Sequence, residues 1–250
     1  YSLGGTYKFK NQVYRLNFAK GFRAPNLYEL SANRIYYGAN RYEKGNIDLL
    51  SEENLEIDIS VHIYSDQYVF DFTLFNNNIE NYIYLNKQRP NIEDDISVYE
   101  HFQNNSRLYG GEVGIDIYPY FLKHTHFKIV YSMVTAKNID KNESLPMIPA
   151  NNLNHEIIYE SGNSFFFDNI SSILKLNYHF IQNQIGQNET PADAYFLTDI
   201  GIKLSKKNHE ISFHLNNLLN TEYIPHLSLL KESHIYEQGR NFVMKYSVKI

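Results

Sequence analysis

Ten histidines, twenty-two tyrosines and no cysteine set the chemistry open to this 250-residue chain. Imidazole is the commonest nitrogen ligand for late transition metals, so the histidines come first. His124-x-His126 has ligand-like spacing but falls at a short turn, where both rings read as solvated. His62, His179 and His214 project from the polar faces of alternating segments and read as hydrogen-bonding groups. His101, His155, His226 and His234 lie on or near long connections, where an arriving ligand would first be met. A second constellation is a single connection that holds Tyr28, Tyr36, Tyr37 and Tyr42 with Arg23, Arg34 and Arg41. Tyr gives flat, rigid contact area and Arg gives bidentate bonding to carboxylate or catecholate-like oxygens. An anionic metal chelate would suit that set; aromatic packing of the loop on itself would use the same residues. The candidate ligand-binding residues are Tyr36, Tyr37, Arg41, Tyr42, His101, His226 and His234.

Other chemistries are excluded. Without cysteine there is no disulfide, no Cys-ligated zinc and no thiol nucleophile. There is no H-E-x-x-H, no G-x-S-x-G and no P-loop, so no enzyme is expected and no resident cofactor is required. A net charge of −5 gives no electrostatic argument for nucleic acid. No window approaches the ~18 consecutive apolar residues of a membrane helix, but a β-barrel shows lipid only every second side chain.

The elements that must position these groups are strands. In 56–64, Ile57, Ile59, Val61 and Ile63 oppose Glu56, Asp58, Ser60 and His62. In 174–180, Leu174, Leu176, Tyr178 and Phe180 oppose Lys175, Asn177 and His179. Such period-two alternation predicts eleven strands, at about 2–9, 12–21, 54–64, 67–86, 101–120, 125–137, 152–161, 168–182, 195–205, 209–221 and 240–250. Short turns near 10–11, 65–66, 121–124, 162–167 and 206–208 alternate with long connections at 22–53, 87–100, 138–151, 183–194 and 222–239. One-sided long loops on a long-stranded antiparallel sheet are the mark of an all-β transmembrane barrel with short periplasmic turns and long outer loops. A soluble β-sandwich, with strands of ~5–6 residues, is the alternative. Bacterial barrels have even strand numbers, so an odd count leads us to expect strands before Tyr1.

Two stretches carry a family resemblance. Gly21-Phe22-Arg23-Ala24-Pro25 runs through Glu29-Leu30 to Gly45-Asn46, Leu49 and Glu52-Glu53-Asn54. Asn216-Asn217-Leu218-Leu219-Asn220-Thr221-Glu222-Tyr223 is followed by Gly239-Arg240-Asn241-Phe242 and a terminal strand. With Pro146-Met147-Ile148-Pro149 between them, these resemble, in order, the barrel motifs of TonB-dependent outer-membrane receptors. Within the first block, Asn33, Gly38, Arg41 and Glu43 match a loop of receptors linked to zinc or chelated metal, with Tyr36 at the histidine position.

The resemblance implies the second half of a 22-stranded barrel; residues 1–250 show no plug and no energy-coupling box. It implies an outer-membrane transport receptor of a Gram-negative bacterium. Such a receptor would bind a scarce metal chelate, such as an iron-siderophore, or a metal ion, and import it with energy from TonB. Implied partners are the TonB complex acting through the plug, the metal or chelate, outer-membrane lipid and lipopolysaccharide, and a surface lipoprotein. The contrasting reading is a passive pore or a structural barrel subunit of a larger surface assembly.

Overall fold

The computed structural model describes residues 1–88, 96–164 and 166–249. Its fourteen strands are β1 (Ser2–Phe9), β2 (Gln12–Arg23), β3 (Asn33–Tyr36), β4 (Arg41–Lys44), β5 (Glu52–Tyr64), β6 (Tyr68–Lys87), β7 (Ser97–Ile117), β8 (Thr125–Asn138), β9 (Glu143–Ser144), β10 (Asn152–Ser164), β11 (Phe167–His179), β12 (Tyr195–Lys206), β13 (His209–Asn216) and β14 (Asn241–Val248). One short helix, α1 (Leu27–Ser31), lies between β2 and β3. Eleven strands form a continuous meander, β1-β2-β5-β6-β7-β8-β10-β11-β12-β13-β14, and each neighbouring pair is antiparallel. Among the described residues β1 and β14 do not pair, so the sheet stays open.

Register separates the chemistry into two faces. Tyr7, Tyr14, Val61, Phe72, Val113, Tyr131, Leu153, Tyr178 and Phe196 are successive cross-strand partners over nine strands. A second apolar row on the same side runs Tyr68, Ile117, Phe127, Ile157, Leu174, Ile200, Leu215 and Phe242. The opposite face carries Thr6, Arg15, Ser60, Thr73, Glu112, Ser132, Asn152, His179 and Tyr195 in one row. It also carries an alternating-charge ladder, Asp116-Lys128-Glu156-Lys175-Asp199, in which Lys175 Nζ and Glu156 Oε1 are 3.0 Å apart. A one-residue register slip would exchange the two sets, so the pattern pins the register.

Several strand ends differ from the periodicity. β11 stops at His179 rather than 182; Phe180 lies beyond it and packs on Tyr178 and Tyr131, at centroid distances of 4.7 and 6.0 Å. β13 stops at Asn216 rather than 221, because Asn217 turns into the left-handed region (φ 49°), which Asn tolerates better than most residues. β7 begins at Ser97 and ends at Ile117, where the alternation had suggested 101–120. The expected connection 87–100, the turn 162–167 and the last residue of the chain fall partly outside the described residues.

Above the main sheet the long loops fold back. A one-residue bulge between Ile79 and Tyr82 shifts the β6–β7 pairing, with Asn81 at φ 57°. Gln103 and Asn105 satisfy the backbone of Asn81 through bonds of 2.8 and 3.2 Å. The connection 139–151 packs Leu145 and Ile148 with Ala136 against Tyr82, Tyr84, Leu108 and Val134, a small core between loop and sheet.

Candidate functional site

The long connection 24–51 is built from its own charged groups. Asn26 caps α1 by accepting from Glu29 N at 2.9 Å, while Glu29 Oε2 accepts from Asn26 N at 2.8 Å. Arg23 forks onto Glu52 with bonds of 2.7 and 2.8 Å and reaches Glu29 at 2.9 Å. Glu52 also accepts from Ile83 N at 2.7 Å. Gly45 donates to Ala32 O at 2.6 Å, and a Cβ there would stand 2.5 Å from Ser31 N. Only glycine permits that approach. The Gly21–Leu30 and Gly45-Asn46 motifs therefore serve to fold this loop. Its hairpin β3–β4 then crosses to β7 and pairs with it in parallel, Arg41↔Ser97 to Lys44↔Glu100.

That geometry fixes most of the expected ligand residues. Arg41 Nε donates to the buried Glu43 at 2.6 Å, and its guanidinium lies 4.6 Å from the Tyr99 ring centroid and 6.0 Å from that of Tyr36. Glu43 also accepts from the Tyr28 hydroxyl. Tyr42 donates to Asn33 at 2.7 Å. His101 is buried, with Nδ1 3.0 Å from Lys44 O and its ring edge-on to Tyr28. Tyr37 is the open one, at 85% exposure.

A second assembly forms where 180–194 meets 217–240. A bridge between Gln182 and Ala192 closes the first loop, and Gln182 Nε2 ties it to Ile148 O at 2.9 Å. Asn217 shapes the second by donating to Thr221 O at 2.9 Å and accepting from Thr221 N at 2.8 Å. The loops are joined by ions. Buried His226 sets Nε2 3.0 Å from Glu189 Oε1, off hydrogen-bonding alignment, while its Nδ1 lies 3.2 Å from Lys231 Nζ. Lys231 donates to Thr190 O at 2.6 Å, and Glu189 accepts from Met147 N and Gly186 N at 3.0 and 2.9 Å. Lys87 at the tip of β6 bonds Glu232 at 2.5 Å, and Glu232 also accepts from Thr190 Oγ1 at 2.9 Å.

The carboxyls respond to these partners. Burial alone would raise Glu189, but His226 and the two backbone N–H groups outweigh it and hold the carboxyl below its usual range. Glu232 is likewise lowered: burial works against it, and Lys87 and Thr190 prevail. Burial pushes the Lys231 ammonium down, with the nearby carboxylates opposing.

Between the two loops lies a cavity of about 390 Å³ lined by Tyr195, Tyr223, Tyr236, His234, Asp193 and Glu222, among others. Tyr195 is stacked by His179 at 4.4 Å and by Tyr223 at 4.5 Å between centroids. Of the expected residues, His234 lines this cavity, and Arg41 lines a smaller pocket beside Lys87, Lys231 and Glu232. Tyr195, Tyr223 and Tyr236 were missed by the sequence reading. Two of them carried a signal, Tyr195 as an aromatic on a polar strand face beside His179 and Tyr223 at the end of the closing motif. Among the described residues no three His, Asp or Glu side chains converge as a metal-ion site.

A long-stranded antiparallel meander with a continuous apolar face, a charged opposite face and loops massed at one end defines an outer-membrane-type β-barrel. A family model described as "TonB dependent receptor-like, beta-barrel" matches residues 1–218, and the chain belongs to that family. Its members are transport receptors of Gram-negative outer membranes rather than enzymes. Among solved structures, the fold superposes on the copper transporter OprC with a TM-score of 0.84 at 15% identity, covering 99% of this chain and 39% of that one. The siderophore receptor PirA from Pseudomonas aeruginosa gives 0.66 at 16% identity, covering 100% and 39%. The ferric enterobactin receptor PfeA gives 0.69 at 15%, covering 99% and 40%. The chain thus spans about two-fifths of the length of these structures.

Proposed function

We propose that this chain supplies half of the barrel, and the outer loops, of a receptor that takes up a scarce metal chelate or metal ion with energy from TonB. Family membership and the two-fifths coverage support that placement, as do the unpaired edges of β1 and β14, which cannot stay open in lipid. On this reading the apolar rows face lipid and lipopolysaccharide, and the charge ladder faces a plug through which TonB acts.

The observation that carries the reading is the cavity between 180–194 and 217–240, which is walled by residues from both loops and by Tyr195 of the polar row. Cargo enters there. The loop 24–51, held by the Arg41–Glu43 pair, by Glu29 on Arg23 and by its β4–β7 pairing, braces the rim. A passive pore would need no such cleft. Receptor-dependent uptake of the limiting metal should disappear in cells without TonB, while purified receptor in planar bilayers should conduct no steady ion current. Uptake that survives loss of TonB, together with open-channel conductance, would replace the receptor with a pore.

A further inference from the structure

The charge of the cargo can be read from the cavity walls. The two loops that form it carry five carboxylates, Glu189, Asp193, Glu222, Glu232 and Glu237, against two basic side chains, Lys231 and Arg240. Glu189 and Glu232 are spent on His226, Lys231 and Lys87. Lys231 borders the cavity, but its ammonium is occupied by Thr190 O at 2.6 Å, His226 Nδ1 at 3.2 Å and Glu189 at 3.8 Å. Asp193 and Glu222 are exposed on the wall and have no ion-pair partner among the described residues. The aromatic stack His179–Tyr195–Tyr223 ends at the same wall, and Tyr236 stands beside it at 58% exposure. An electron-rich ring face attracts a cation and repels an anion. Burial first, and then the carboxylates of Glu237 and Asp199, push the Tyr223 phenol up.

We infer that the cavity binds a ligand presenting a cationic, nitrogen-centred group against Tyr223 and Tyr236, with Asp193 and Glu222 balancing its charge, and that it discriminates against anionic chelates. This rests on the reading that cargo enters between these two loops. It departs from the anionic chelate that the Tyr–Arg set of 24–51 suggested, because those arginines are paired to glutamates or stacked on tyrosines.

The test uses full-length receptor in detergent and two ring-matched probes, benzyltrimethylammonium and benzenesulfonate, titrated by ligand-observed saturation-transfer NMR. Benzyltrimethylammonium should bind about tenfold tighter than benzenesulfonate. Tyr223→Ala should weaken it by roughly fivefold or more, while Tyr223→Phe, which keeps the ring and guards against a folding defect, should stay within about twofold. Asp193→Asn with Glu222→Gln, both on exposed side chains, should cut the preference to about threefold or less. Benzenesulfonate binding as well or better, with both probes lost in Tyr223→Ala, would overturn the charge assignment and leave the cavity as the cargo site. Probe binding that none of these variants changes, or no binding of benzyltrimethylammonium to the unmodified receptor, would overturn the cavity reading as well.

Discussion

The outer end of this molecule solves one problem in two ways. The connection 22–53 holds most of the residues whose types suggest ligand binding, yet it spends many of them on itself: Arg23 on Glu52 and Glu29, Arg41 on Glu43 and Tyr99, Tyr42 on Asn33. The pair 180–194 and 217–240 spends one buried ion cluster on holding two loops together, and so keeps a tyrosine-walled cavity open between them. Residue type therefore does not mark the site. On the proposed reading, what marks it is a cleft between folded loops whose Asp193 and Glu222 keep no ion-pair partner among the described residues, and the cleft rather than the long loop holds cargo.

The largest effect that would sharpen this contrast comes from the cleft. Glu189→Ala leaves Lys231 buried beside Lys87 with one fewer countercharge, and breaking a buried pair costs about 3–5 kcal/mol. Hydrogen exchange across 217–240 should rise steeply and proteases should nick it, with 24–51 unchanged. Equal protection in the variant would mean that the ion cluster does not hold the cleft.

Next in size is Gly45→Ala. The added methyl meets backbone atoms of α1 at 2.5 Å, and overpacking of that kind costs about 1–3 kcal/mol. Proteolysis near Asn33–Lys44 should increase while cargo affinity holds within about twofold. A large loss of affinity with an intact cleft would move the site to the long loop.

The smallest effect is acid sensitivity. Glu189 and Glu232 both have carboxyls held below the usual value of 4.5. A depressed carboxyl contributes stability that is fully present above its unfolded value and is lost as pH falls through the folded one. Exchange in 180–194 and 217–240 should therefore accelerate as pH falls below about 4.5. Glu189→Gln should shrink that acid step, and an unchanged step would remove Glu189 as its source.

Much of this architecture was legible in the chain. Alternation located all eleven strands of the meander, and it assigned Leu174, Leu176 and Tyr178 to one face and Lys175, Asn177 and His179 to the other, as the register shows. The helix α1 falls inside the Gly21–Leu30 block that carried the family resemblance. The strand ends were harder, because they are decided by single residues such as Asn217 entering positive φ, which alternation does not encode. The cleft was the least legible part. His226 and Glu189 meet across separate loops, and Tyr195 and Tyr223 stack only because β12 and the 217–240 loop return to the same rim. Such juxtapositions depend on register and loop path rather than on residue spacing. His226 and His234 were singled out as imidazoles on a long connection: one contacts Lys231 in the buried ion cluster and the other lines the cavity.

Residues 1–250 contain no cysteine, so an engineered thiol is unique within them, and the unsubstituted receptor treated alike gives the background. Tyr236→Cys places it on the cavity wall, and Tyr37→Cys places it on the open tip of the long loop. Cells carrying either variant would be treated with a bulky impermeant maleimide and then assayed for receptor-dependent growth on limiting metal. The account predicts that labelling at 236 abolishes growth while labelling at 37 leaves it intact. Growth that survives at 236 and fails at 37 would contradict it.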